Sequence, residues 1–435
     1  MVGRRLRRRM AAPAHRDLWL FFVGEATSLL GSAMASLALA FALLGGGGTQ
    51  SELGYVMAAR IVPMVVLMPF AGVVADRVGP RRVMVSSDVL RCVTQAILAV
   101  LLLAGRPPLW AFVALVTVWG AGEAFFMPAR GALIPRVAAG GDRYAGKLRD
   151  ANALAGLAQS LASVSGPALA GVAVAALGPG AVVALDAGTY AVSAVALMLL
   201  RLAGPGPPPV PAMRGRAIGE LAEGWRHFRA HSWLWVTTLQ FTLFNMLVWA
   251  PFLVLGPVVA QERLGGAGAW GLIMACYGGG AVGGGLAMMG GRAVRRPLLV
   301  ATVATFGWAL PSGAIAAGAP VAVIATGALV AGAGSAVCGT LYATTNQRYL
   351  PAGVLARVTS LTGVGAFVLG PVGLAVAGPA ASAAGVTGVL AFGAVWQAVA
   401  CCVVLAVPGV RGLPAAPAGV EDADAAATTE EAARV

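Results

Sequence analysis

Residues 72–82 read Gly-Val-Val-Ala-Asp-Arg-Val-Gly-Pro-Arg-Arg, covering the end of one long apolar run, 53–75, and the turn that leads to the next, 83–104. An α-helix of about 20 apolar residues crosses a bilayer core of roughly 30 Å, so each run is long enough to span a membrane. Glycine and proline are typical of a tight turn. The sequence therefore predicts two membrane-spanning helices joined by a short basic turn.

Composition extends this prediction to the whole chain. Of the 435 residues, 59% are hydrophobic and 11% are charged, and the mean hydropathy is +0.83. Soluble domains carry about 25% charged residues, so a soluble enzyme and a disordered chain are excluded. The five cysteines all lie inside apolar runs, which argues against a disulfide framework or a Cys/His metal site. We expect an all-α polytopic membrane protein without a cofactor or a metal.

Twelve apolar runs of this kind follow one another along the chain. They divide it into a basic tail at 1–17, six spans within 18–200, a connection at 201–232, six spans within 233–407 and an acidic tail at 408–435 that we expect to be disordered. Within the connection, the amphipathic segment 219–230 predicts a helix on the membrane surface. The predicted spans are Leu18–Leu44, Leu53–Ala75, Val83–Ala104, Pro108–Met127, Ala151–Leu177, Gly180–Leu200, Trp233–Val259, Gly268–Gly290, Leu298–Ala317, Pro320–Ala343, Val358–Gly378 and Gly385–Val407.

The positions of Lys and Arg predict the side of the membrane on which each loop lies. With the N-terminus inside, Arg106 and Arg263 lie outside, Arg60 and Arg91 lie within spans, and the other 26 of the 30 cations lie in tails or inner loops. Inner loops of membrane proteins are enriched in these residues. Both termini are therefore predicted in the cytoplasm, with the chain in the plasma or inner cell membrane. The cations then face the lipid bilayer, and no nucleic-acid partner is expected.

The turn at 72–82 matches a known motif. It resembles motif A of the major facilitator superfamily, G-x-x-x-D-R-x-G-x-R-R, at every defined position. The resemblance implies two six-helix bundles that work by alternating access, with a latch that holds them together in one state. A basic turn that only sets the orientation of the chain in the membrane would explain the arginines but not the aspartate or the glycines. The implied latch residues are Gly72, Asp76, Arg77, Gly79, Arg81 and Arg82, with Glu123 near the end of span four as the acid that answers the arginines.

Two further motifs of the superfamily match in part. Span five contains Gly166-Pro167-Ala-Leu-Ala-Gly171 and resembles the antiporter motif C, although an ordinary Gly–Pro kink would read the same way. Span four carries the Gly-rich end of motif B at 120–123 but no upstream arginine, which argues against the usual route of proton coupling. Segments 125–129, 151–154 and 357–360 are similar to the exporter branch that includes the enterobactin exporter and macrolide efflux proteins.

Charged residues inside the predicted spans are expected to have a structural or functional role, because an ionised group at a helix centre costs about 2.5–3.5 kcal/mol on insertion scales. Glu25 could carry a proton or bind a polar substrate; the alternative is a permanent ion pair with Arg60 or Arg91. Arg60 could replace the missing motif B arginine, bind an anionic substrate or neutralise an acid. Asp88 and Arg91 can pair locally, since they are three residues apart on one helix. All six such residues lie in the first half: Glu25, Arg60, Asp88, Arg91, Glu123 and Asp186, the last of which we expect to be structural.

The predicted spans of the second half offer aromatic and amide side chains instead of charges. Such a lining would suit an amphipathic organic molecule, although the same side chains could serve packing or an interfacial belt. The candidates for a cavity lining are Phe241, Phe244, Asn245 and Trp249 in span seven and Tyr342 and Asn346 at the end of span ten.

These features predict a secondary active transporter, most simply a monomeric efflux pump that exchanges protons for a hydrophobic or amphipathic small molecule such as an antibiotic or a siderophore. An importer or a lysolipid flippase of the same fold is the alternative. An intramembrane enzyme would need an acid/base pair or a metal cluster inside the spans, and the histidines, His15, His227 and His231, all lie outside them. No enzymatic activity is expected.

Overall fold

The computed structural model describes residues 13–105, 107–138, 144–201, 217–289 and 294–414, and their regular secondary structure is helical. The basic start up to residue 12, residues 202–216 of the connection and residues 415–435 of the predicted tail lie outside these ranges. The first residues of that tail, which the sequence predicts to be disordered, are helical at Pro408–Arg411, where Val410 is buried. The helices are α1 (Pro13–Gly45), α2 (Gln50–Val78), α3 (Pro80–Ala104), α4 (Leu109–Ala138), α5 (Tyr144–Leu177), α6 (Pro179–Met198), α7 (Ala217–Ala230), α8 (Ser232–Leu264), α9 (Ala267–Ala287), α10 (Pro297–Ala316), α11 (Val321–Tyr349), α12 (Ala352–Phe367), α13 (Gly370–Ala384), α14 (Val386–Ala406) and α15 (Pro408–Arg411).

The membrane-spanning character of the helices confirms the predicted fold class. Eleven helical stretches in the described ranges are long and apolar enough to cross a membrane. The predicted eighth span is the helix α9, whose glycines at 278–280 and 283–285 lower its mean hydropathy. The predicted eleventh span forms α12 and α13, which together make one stretch of suitable length, Val358–Ala384.

Several helices continue through prolines, so their ends differ from the predicted ones. The helix α4 runs past Pro128 and Pro135 to Ala138, whereas the sequence placed the end of span four at Met127. A proline removes one backbone hydrogen bond, but membrane helices tolerate it because neighbouring helices and local adjustments satisfy the freed carbonyl. The longer α4 brings Arg130 into the bundle.

The turn between α2 and α3 depends on one glycine. Gly79 has φ +97°, a backbone conformation that favours glycine, and Pro80 is well suited to the first position of the following helix. Next to this turn, Arg81 donates from Nε to the carbonyl oxygen of Leu197 at 2.8 Å and from Nη2 to that of Met198. Because the last carbonyls of a helix lack intrahelical donors, Arg81 ties the start of α3 to the end of α6.

The described chain forms two compact units. The first comprises Met1–Ala212, Ala250–Gly278 and Pro371–Val389. In it α2 packs on α4, α3 on α6, and α1 on both α5 and α6. The core at one end contains Phe21, Phe126 and Leu133. The second half therefore contributes two segments to this unit.

The second unit comprises Met213–Trp249, Gly279–Gly370 and Leu390–Val435. Its core includes Phe228, Trp233, Leu234, Leu350 and Val404. The predicted amphipathic segment of the connection is the helix α7. It buries Phe228 in this core and leaves Trp225 exposed beside it, with 5.4 Å between the two ring centroids.

Candidate functional site

Arg60 and Glu123 form the first of three ion pairs among the described helices of the first unit. Arg60 donates from Nε and Nη2 to Glu123 Oε2, at 3.1 and 3.0 Å, and from Nη1 to Ser36 Oγ at 2.6 Å. Its guanidinium carbon lies 3.9 Å from the ring centroid of Trp119, a cation–π distance. This pair joins α2 and α4, with Ser36 of α1 as a third partner. The sequence had assigned Glu123 to the motif A arginines, and the structure pairs it with Arg60 instead.

Glu25 pairs with Arg130 of α4, not with Arg60 or Arg91 as the sequence suggested. Glu25 is buried, with 3% of its surface exposed. The sequence does not predict Arg130 as a partner, because the predicted span ends at Met127. Glu123 and Arg130 are seven residues apart, which is close to two helical turns and puts both on one face of α4. That spacing, read through Pro128, was the signal that could have identified Arg130.

Asp88 and Arg91 form the local pair on α3 that their spacing predicts, and both are buried. The guanidinium carbon of Arg91 lies 4.3 Å from the ring centroids of both Phe126 and Tyr190. Hydrogen bonds with Ser32 and Trp119 also hold the phenol of Tyr190 in place. Arg91 is therefore held between α4 and α6 by aromatic faces as well as by its carboxylate.

Tyr190 joins these charges to a buried polar network. Its Oη accepts from Trp119 Nε1 at 2.7 Å and lies 2.7 Å from Ser32 Oγ. Nearby, Gln95 Nε2 donates to Asp186 Oδ2 at 2.8 Å. No Arg or Lys side chain of the described ranges lies within ion-pairing distance of Asp186. The network links α1, α3, α4 and α6, and Asp186 takes part through neutral donors.

The motif A residues are only partly arranged as the sequence predicted. The side chain of Asp76 lies outside the described part of the structure. A Cβ atom at Gly72 would have no atom of the described residues within 4 Å. Gly79 makes the turn, Arg81 caps α6, and Arg77 and Arg82 are exposed. A latch between the two halves stays a prediction.

The motif C-like segment of α5 lies at two close helix contacts. A Cβ atom at Gly166 would lie 2.5 Å from Ala33 Cβ of α1, and one at Gly171 would lie 2.8 Å from the carbonyl oxygen of Ala267. From the other side, a Cβ atom at Gly271 of α9 would lie 2.5 Å from the carbonyl oxygen of Pro167. These glycines allow α5 to approach the side chain of Ala33 on α1 and the backbone of α9 closely, which a simple proline kink does not require.

The second unit contains a cavity of about 320 Å³ between α8, α11 and α12. Phe241, Tyr342 and Asn346 line it, together with the threonines at 238, 359 and 362. Tyr342 Oη and Asn346 Oδ1 are shielded from water and have no well-formed hydrogen bond within the described residues. Buried polar atoms are usually satisfied, so these two atoms mark a place where a bound molecule could donate hydrogen bonds.

The other three candidates do not line this cavity. Phe244 packs on Trp308, with ring centroids 4.0 Å apart, and lies 6.4 Å from Trp249. Asn245 Nδ2 donates to the carbonyl oxygens of Phe241 and Ala366, at 3.0 and 3.2 Å. Asn245 and Trp249 lie in a π-helical turn, Asn245–Trp249, and π turns cannot be predicted from apolar spacing. They serve packing and backbone support.

Comparison with known proteins identifies the family. The family model of the Major Facilitator Superfamily matches residues 21–374. The multidrug efflux pump Tap of Mycolicibacterium fortuitum is 28% identical over 379 residues, which cover 85% of this chain and 90% of that protein. Macrolide efflux protein A of Streptococcus pyogenes is 24% identical over 251 residues, covering 57% of this chain and 60% of that protein.

Solved structures share the fold at low sequence identity. The crystal structure of the nucleoside transporter NupG superposes with a TM-score of 0.66 at 13% identity, covering 91% of this chain and 98% of that one. A bacterial homologue of the human lysosomal transporter Spinster, in an inward-facing and unoccupied conformation, gives a TM-score of 0.65 at 13% identity and covers 92% and 96% of the two chains. The chain is therefore a multi-pass membrane transporter, not an enzyme, and belongs to the Major Facilitator Superfamily.

Proposed function

We propose that this transporter is an efflux pump that exports a hydrophobic or amphipathic small molecule, such as an antibiotic or a siderophore. The observation that carries the proposal is the cavity of about 320 Å³ in the second unit, which Phe241, Tyr342 and the buried amide of Asn346 line. A mostly apolar lining with a few placed polar groups favours amphipathic ligands. The similarity to efflux pumps along most of the chain supports export. An importer or a lysolipid flippase remains the alternative.

Proton exchange is the coupling that we propose, with Glu25 as the carrier and Arg130 as its partner. Glu25 is buried and its ion-pair partner is on another helix. A proton on the carboxylate would remove the attraction to Arg130, so protonation would change the contact between α1 and α4. The pair is a better candidate than Asp88 and Arg91, which lie on the same helix and keep their distance when helices move.

The distribution of cations supports the proposed orientation, with both termini in the cytoplasm and the chain in the plasma or inner cell membrane. We propose a monomer as the working unit, since each chain carries both halves of the fold. The lipid bilayer and the transported molecule, with protons as the coupling ion, are the partners that this function requires.

Transport into inverted membrane vesicles tests direction and coupling together. Inverted vesicles are prepared from a host that lacks major efflux pumps and expresses the full chain. They should accumulate ethidium when the vesicle lumen is made more acidic than the outside, and an uncoupler should abolish the accumulation. Glu25→Gln should remove the dependence on the gradient, whereas Glu262→Gln, which changes an exposed acid, should not.

Other results would contradict the proposal. Gradient-driven loss of the dye from inverted vesicles would indicate import. Translocation of a labelled lysophospholipid with no dye transport would indicate a flippase. An unchanged pH dependence in Glu25→Gln would exclude Glu25 as the proton carrier while leaving export intact.

A further inference from the structure

An apolar groove of about 970 Å³ with a basic end runs along the first unit. The end of α2, the first turns of α3 and the ends of α4 and α6 form it. The residues that decide its chemistry are Arg81, Arg82 and Arg136 at one end and Val85, Val89 and Val93 along the wall. The groove lies in the first unit, whereas the cavity at Phe241 and Asn346 lies in the second.

The basic end carries positive charge that the described protein does not neutralise. The ion pairs of the described ranges involve Arg60, Arg91 and Arg130, and no described carboxylate pairs with Arg82 or Arg136. Arg81 donates to two backbone carbonyls, which hold its guanidinium in place but leave its charge intact. Three arginines that converge on one end of a groove favour an anion with several acceptor oxygens, such as a phosphate.

The apolar wall continues from the arginines into the depth of the membrane. Val85, Val89 and Val93 are four residues apart, so they lie on one face of α3. Val89 is 48% and Val93 is 51% exposed. At 1.5 Å per residue, Arg82 and Val93 are about 16 Å apart along the helix. That distance is close to the depth of one leaflet, roughly 15 Å of a bilayer core of about 30 Å.

We propose that this groove binds an anionic glycerophospholipid, with its phosphate at Arg82 and Arg136 and one acyl chain along Val85, Val89 and Val93. Charge and shape together select this ligand, because the basic end fits the phosphate and the valine wall fits only a ligand with a long apolar chain. Basic pockets beside membrane helices recognise lipid headgroups in this way. The site is separate from the proposed transport cavity and gives Arg82 a role that needs no contact with the second half.

Lipid binding to the purified full-length protein in dodecyl maltoside tests the proposal. Native mass spectrometry would compare dioleoyl phosphatidylglycerol with dioleoyl phosphatidylcholine, and we expect preferential binding of the former. Each arginine near a lipid surface accounts for about fivefold in affinity, so Arg82→Gln with Arg136→Gln should weaken binding of the anionic lipid about 25-fold. Arg82→Lys with Arg136→Lys should keep most of the binding, because the charge is retained.

The controls distinguish a lipid site from nonspecific attraction to positive charge and from a site for free phosphate. Arg229→Gln removes an exposed cation of α7 and should leave binding unchanged. Dihexanoyl phosphatidylglycerol carries the same headgroup on short chains and should bind more weakly, and 10 mM inorganic phosphate should not displace the dioleoyl lipid. Equal binding of the two dioleoyl lipids, an equal loss in Arg229→Gln, or displacement by inorganic phosphate would overturn the proposal.

Discussion

Gly120→Ala should destabilise the first unit by forcing α2 and α4 apart. A Cβ atom at Gly120 would overlap the carbonyl oxygen of Arg60, and it would lie 2.9 Å from the carbonyl carbon and 3.1 Å from Cα of that residue. All three atoms are backbone, so no rotamer change can relieve the overlap. The same shift would stretch the hydrogen bonds from Arg60 to Glu123, which are 3.0 and 3.1 Å long.

The size of the effect follows from a comparison with Gly131→Ala on the same helix, where a new Cβ atom would meet open space. Both substitutions gain the same helix propensity, about 0.5–1 kcal/mol, so this gain cancels in the difference. Overpacking a close contact costs about 1–3 kcal/mol. With a central value of about 2 kcal/mol, and 2–4 °C per kcal/mol for a unit of this size, Gly120→Ala should unfold about 4–8 °C below Gly131→Ala.

Thermal unfolding of the two variants, purified in the same detergent and followed by circular dichroism, measures this difference. The wild type should lie between them or close to Gly131→Ala. If Gly120→Ala melts at the same temperature as Gly131→Ala, the contact between α2 and α4 does not depend on the missing side chain, and the reasoning from the backbone overlap is wrong.

Three further substitutions test other parts of the structure. Gly271→Ala should lower ethidium transport in inverted vesicles severalfold because its Cβ atom overlaps the backbone of α5, whereas Gly268→Ala, which faces open space, should not. Trp119→Phe removes the donor to Tyr190 Oη and should cost about 1 kcal/mol, seen as a melting point lower by about 2–4 °C. Asn346→Ala should weaken ethidium binding about 2- to 10-fold, the value of one hydrogen bond, measured by fluorescence titration; unchanged binding would place the dye elsewhere.

The spans and the family could be predicted from the sequence because both depend on local features. A bilayer requires a minimum length of apolar helix, and that length is visible in a single chain segment. Motif A is likewise contiguous, and its turn requires glycine at position 79, where φ is positive. The glycine-rich α9 shows the limit of the hydropathy argument, since it is one of the twelve predicted apolar runs but is not among the eleven described stretches that are apolar enough to cross a membrane.

The partners of the charged residues could not be predicted, because a partner depends on how each helix is rotated against its neighbours. The position of Glu25 or Glu123 along its predicted span indicates only an approximate depth in the membrane, and many pairings satisfy depth alone. The pairing also depends on where each helix ends. Stopping span four before Pro128 applied a rule from soluble helices, and it removed Arg130 from consideration. The same error left Glu25 without its actual partner.

Charge balance offers a way to detect such an error from sequence. The predicted spans contained four acids and only two arginines, an unfavourable excess for a low-dielectric interior, where each unpaired charge is costly. The imbalance implies that a base was missing, and the continuation of α4 supplies it.

One acid is still left over after the three ion pairs form. Asp186 is that acid, and it is buried beside the amide of Gln95 rather than beside a cation. An acid that is satisfied by neutral donors belongs to the network that holds α3 to α6, while the pair on α1 and α4 keeps a carboxylate and a guanidinium on different helices. A movement of α1 against α4 would separate Glu25 from Arg130 and leave its charge unpaired, whereas Asp186 is held by the amide of Gln95. We therefore expect Glu25, and not Asp186, to respond to the transport cycle.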